Sequence, residues 1–83
     1  MKKENIKDEL INLISSGRYV AKQQIGEDFP IEDYEGCEHN FFNAIAGGAD
    51  LEKVVDSKSK YYQGKDTYLI SYFGITLILS AAD

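Results

Sequence analysis

At 83 residues the chain has room for one domain and not for two, and a domain of this size buries only about two-thirds of its unfolded surface. A hydrophobic content of 43% argues against a disordered chain, and a lone cysteine, Cys37, excludes an internal disulfide scaffold and favours a reducing, cytoplasmic setting. The net charge of −5 comes wholly from the middle of the chain: residues 23–52 hold eight acids and no Lys or Arg, against five basic and three acidic residues in 1–22 and four and three in 53–83.

Ile6, Leu10, Leu13 and Ile14 fall at i, i+4, i+7 and i+8, the stripe of an amphipathic helix over residues 4–16, with Asn5 placed to cap its start and Gly17 to close it. Acidic Asp8 and Glu9 interrupt the apolar run, which argues against a signal peptide. Arg18-Tyr19-Val20 favours extended backbone. In residues 21–29 (AKQQIGEDF), Ala21, Ile25 and Phe29 share one helical face, so a second short helix is predicted up to Pro30, followed by a turn over 31–36. Phe41, Phe42, Ala44, Ile45 and Ala46 suit a third helix over 38–46, ended by Gly47-Gly48.

Residues 50–62 open strand-like at Leu51, Val54 and Val55, residues 63–66 form a turn around Gly64, and 67–73 read as a strand rich in aromatic and branched residues. Gly74 is a bulge or a bend before a last strand over 75–79. The apolar stretch 68–82 is broken by Ser71, Thr76 and Ser80 and is shorter than the ~20 residues of a membrane helix, so a soluble protein is expected.

No catalytic site is predicted, and no metal or cofactor. Cys37-Glu38-His39 is a C-x-H without a second paired motif, and a structural metal site needs three or four convergent ligands. A catalytic thiolate needs a base and an orienting group around it, and a P-loop, G-x-G-x-x-G and G-x-S-x-G are all missing from the sequence. Tyr61 and Tyr62 beside Lys58, Lys60 and Lys65 suit nucleic-acid stacking. Strand neighbours also point to opposite faces, which would put one tyrosine in the core.

In this order the elements resemble a winged helix-turn-helix domain. Residues 10–20 (LINLISSGRYV) look like its first helix running into its first strand, and 21–26 (AKQQIG) like its second helix. Residues 43–54 (NAIAGGADLEKV) look like the end of the recognition helix entering the wing, with 58–65 (KSKYYQGK) as the wing and 67–70 (TYLI) as the return strand. The resemblance implies an α+β domain of three helices with a small antiparallel β-hairpin, here with an extra C-terminal strand. It also implies a small regulator that binds double-stranded DNA, with the third helix in the major groove. His39, Asn40 and Asn43 would then read bases, and Arg18, Lys22, Lys58, Lys60 and Lys65 would meet phosphate.

The carboxylates Glu27, Asp28, Glu32, Asp33, Glu35 and Glu38 oppose phosphate binding, and the presumed recognition helix carries no Lys or Arg. They point instead to an acidic interaction module or inhibitor docking on a basic, nucleic-acid-binding protein. Phage-encoded inhibitors of host nucleases, including anti-CRISPR proteins, are similar in size and charge. If the last strand runs on through Gly74, it leaves Phe73, Ile75, Leu77 and Leu79 on one uncovered face, a homodimer interface. If Gly74 turns the chain, residues 75–79 fold back on 67–73 within one molecule.

Overall fold

The computed structural model describes residues 2–82. The elements run α1 (Lys2–Ser16), β1 (Tyr19–Ile25), β2 (Glu32–Asp33), α2 (His39–Ala46), β3 (Asp50–Val54), β4 (Thr67–Tyr72) and β5 (Ile75–Ala81). The strands form one sheet in the order β2-β1-β5-β4-β3, each pair antiparallel.

The helix stripe at the start of the chain folds as its spacing dictates. Leu10 and Ile14 are fully buried, with Ile6 and Leu13 packed beside them. Gly17, at φ +72°, donates its N–H to the Ile14 carbonyl and closes α1 in the left-handed conformation that glycine adopts without strain. Asn5 does not cap the helix, because α1 already begins at Lys2. In α2, Phe41 and Ile45 face inward, and Gly47 and Gly48 return their N–H groups to the carbonyls of Asn43 and Ile45.

Both helices lie on one face of the sheet, over Tyr68, Ile70, Leu77 and Leu79. Each fully buried Leu or Ile there contributes about 1.5–3 kcal/mol. Alternation sends Leu69 and Ile78 to the opposite face, where they join Val54 under Ile31, Tyr61 and Tyr62. The central strands are therefore covered on two sides, which is why residues 67–70 and 77–80 read as nearly unbroken buried runs.

The chain is α+β as expected, but the three helices and small hairpin are replaced by two helices and a five-stranded antiparallel sheet. The decisive correction is residues 21–29. Their Ala21–Ile25–Phe29 spacing fits a helix, yet residues 19–25 form β1, whose seven residues pair one-for-one with β5 from Tyr19↔Ala81 to Ile25↔Ile75. The hydrogen bonds supplied by the far end of the chain override a weak local preference. The antiparallel pair expected around residues 58–65 does form, β3 with β4 from Asp50↔Ser71 to Val54↔Thr67, but within the five-stranded sheet. The strand expected over 50–62 stops at Val54, because Asp56 accepts the Lys58 N–H at 2.9 Å and the Ser59 N–H at its carbonyl, turning the chain out of the ladder. Residues 55–66 then fold over the open face of the sheet.

At the other end Phe73-Gly74 turns the chain, and β5 folds back on β4 in register Tyr72↔Ile75. Both central residues have positive φ, +47° at Phe73 and +76° at Gly74, as a two-residue type I′ hairpin requires. With β1 on one side and β4 on the other, β5 is the middle of the sheet, and Leu77 and Leu79 are 1% and 0% exposed. The uncovered strand that would join two copies does not exist. Ile75 is half-buried against the main core, and of the four residues expected at a homodimer interface Phe73 alone stands exposed.

Candidate functional site

Glu27 and Asp28 lie in the turn that leaves β1, Glu32 and Asp33 form β2, and Glu35 and Glu38 follow in the loop to α2. Because β2 is an edge strand, these six acids are gathered along one edge of the sheet, and all six are exposed. Asp33 is paired with Lys22 at 3.6 Å, with 82% of its own side chain still open to solvent. Gln23, Glu32, Asp33 and Glu35 line a shallow cleft of about 390 Å3. The other two acids of the middle stretch, Asp50 and Glu52, sit on β3 at the opposite edge, four strand spacings or roughly 19 Å away.

A small aromatic framework fixes the loop that carries Glu35 and Glu38. The Tyr34 ring packs on Phe41, centroids 4.9 Å apart, and Tyr19 meets Phe41 edge-on at 5.7 Å. The Tyr34 hydroxyl donates to the Cys37 carbonyl at 3.1 Å and accepts from the Asn40 amide at 2.8 Å. Tyr19 donates to Glu38 Oε1 at 3.1 Å, and burial, followed by this bond to an anion, pushes the Tyr19 hydroxyl pKa upward.

The turn carrying Glu27 and Asp28 is fixed by Gln24, a buried side chain on β1. Its amide donates to the Phe29 carbonyl at 2.8 Å, and its oxygen accepts from the Tyr61 hydroxyl at 2.6 Å. One glutamine thereby ties the acidic turn and the 55–66 loop to the same strand. Nothing in the local sequence marks Gln24 for this task.

The residues expected to read and grip DNA are not brought together. His39, Asn40 and Asn43 are exposed on α2, on the helical side of the sheet, and the Asn40 amide is held by Tyr34. Lys22 pairs across β5 with Ile78, on the opposite face, where Lys60 lies over the Tyr61 ring at 5.1 Å. Tyr61 and Tyr62 pack against that face of the sheet. Lys58 is exposed in the loop, Arg18 is exposed after α1, and Lys65 borders a cleft with Glu9 and Tyr68. Cys37 and His39 are exposed, and among the described residues no three His, Cys, Asp or Glu side chains converge to hold a metal ion.

Comparisons with family models, curated proteins and solved structures found no match. No helix among the described residues is long and apolar enough to cross a membrane.

Proposed function

We propose that the chain is a non-enzymatic interaction module whose acidic edge docks on a basic surface of another protein. The observation that carries this reading is the gathering of Glu27, Asp28, Glu32, Asp33, Glu35 and Glu38 along the β2 edge, with Lys22 as the lysine that meets them. Exposed carboxylates in one patch steer a cationic partner and raise its association rate by about 10- to 1000-fold. They repel a phosphate backbone for the same reason. A basic surface of this kind is what nucleic-acid-binding proteins present, so docking there would make the module a competitor of nucleic acid. Its similarity in size and charge to phage-encoded inhibitors of host nucleases fits that role.

The reading is tested by fluorescence anisotropy with a labelled Lys/Ser peptide and a labelled DNA duplex, each at low salt and at about 0.15 M salt. Binding to the peptide that weakens as salt rises, with no binding to the duplex, is expected. Salt-dependent binding to the duplex with none to the peptide would overturn it and return the chain to the DNA-binding class.

A further inference from the structure

Phe73 is 96% exposed at the tip of the β4–β5 hairpin, where its φ of +47° is a conformation that bulky residues rarely adopt. A type I′ turn favours Asn, Asp or Gly at that position, so phenylalanine is a poor choice for folding. Among the described residues its ring meets that of Tyr72 edge-on, at 6.0 Å between centroids. Neither turn formation nor burial accounts for it, and residues held in strained conformations cluster at ligand-gripping sites.

The tip is not isolated. The Gly26 N–H donates to the Gly74 carbonyl at 2.9 Å, which ties the turn after β1 to the hairpin. That turn carries Phe29, 61% exposed, and follows Ile25, 52% exposed. Between them stand Glu27 and Asp28. One end of the sheet therefore presents three apolar side chains beside two carboxylates of the acidic edge.

We propose that Phe73, at the same end of the sheet as Phe29 and Ile25, is the apolar anchor of the docking surface, and that it enters an apolar pocket rimmed by Lys or Arg on a partner protein. This rests on the acidic-edge reading and adds to it the end of the molecule that goes in. Charge selects the occupant. A two-fold contact between copies of this chain sets a patch against itself, which would bring Glu27 and Asp28 against their own like charges. A cationic rim neutralises them. Aromatic anchors in desolvated pockets carry most of the affinity in such contacts, while surrounding charges set association rate and orientation.

The test uses three labelled peptides: an amphipathic Lys/Leu helix, a Lys/Ser peptide of equal charge, and a Glu/Leu helix of equal apolar content. The intact protein is expected to bind the Lys/Leu peptide about tenfold or more tighter than the Lys/Ser peptide, and not to bind the Glu/Leu peptide. Phe73→Asn should abolish the preference and leave Lys/Ser binding unchanged. The same substitution should raise the melting temperature by roughly 4 °C or more, because asparagine suits the turn. Loss of preference in a variant that is more stable cannot be ascribed to unfolding. A preference that survives in Phe73→Asn, or equal binding of the Glu/Leu helix, would overturn the anchor. Absence of salt-dependent binding to the Lys/Ser peptide would instead sink the acidic-edge reading beneath it.

Discussion

Gly36 has no room for a side chain. A Cβ there would lie 2.9 Å from Tyr34 Cε1 and closer still to the Tyr34 hydroxyl. Gly36→Ala must displace the ring, with its hydrogen bonds to the Cys37 carbonyl and the Asn40 amide. A loss of about 1–3 kcal/mol in chemical denaturation is expected, and an unchanged midpoint would show that the ring moves aside freely. The second coupling is between α1 and the sheet. Glu9 Oε1 accepts from Tyr68 at 2.6 Å and from Lys53 at 2.9 Å, and Lys53 also lies 3.5 Å from Asp66. Burial first, then the bond to Glu9, pushes the Tyr68 hydroxyl up to about 12 from its ordinary 10.0. The folded state therefore keeps a proton that the unfolded chain gives up. The stability this contributes is whole below about pH 10 and is lost as pH rises towards 12. An ultraviolet titration should show a late tyrosinate step that Tyr68→Phe removes; a tyrosine count completed near pH 10 in the folded protein would contradict it. Glu9 moves the other way, lowered first by the Tyr68 hydrogen bond and then by Lys53, so its contribution is present above about pH 4.5 and lost as pH falls. Glu9 and Lys53 stand 44 positions apart, and no local pattern could pair them.

At the scale of elements, what was legible in the sequence was local. The stripe Ile6–Leu10–Leu13–Ile14, the glycines that end both helices and the branched run from Thr67 each carry their own periodicity or punctuation, and each appears as an element. β1 carries no clear period. Its helix-facing residues are Tyr19, Ala21, Gln23 and Ile25, and its opposite face has Val20, Lys22 and Gln24, so polar and apolar residues stand on both sides. Only pairing with β5, from Tyr19↔Ala81 to Ile25↔Ile75 at the far end of the chain, decides it. The acidic edge was legible as composition but not as a place: six of the eight acids gather at β2 and two stand on β3, a division set by strand order. Gln24 holds the two long connections to β1, through Phe29 and Tyr61. Gln24→Leu keeps the volume and leaves those partners unsatisfied, which should cost about 1–3 kcal/mol. It should also raise hydrogen exchange over residues 55–66 more than over α1; uniform change would mean that the loop is held by Tyr61 and Tyr62 packing alone.

At the scale of the whole molecule, charge and apolar surface are both asymmetric. The acidic edge lies at β2 and the exposed Phe73 at the hairpin end beside its outermost turn, while the lysines Lys58 and Lys60 sit in the loop across the open face. A net charge of −5 would by itself attract any cationic partner, wherever the acids stood. The central claim is narrower: the β2 edge carries the binding. Affinity for the Lys/Leu peptide should therefore be measured at low salt in two variants that each remove charge, Glu32→Gln with Asp33→Asn at β2, and Asp50→Asn with Glu52→Gln at β3. The β2 pair should weaken binding by about tenfold, equivalent to roughly 1.4 kcal/mol, and the β3 pair by less than about twofold. Equal weakening by both pairs would contradict the account, because binding would then follow net charge and not a site.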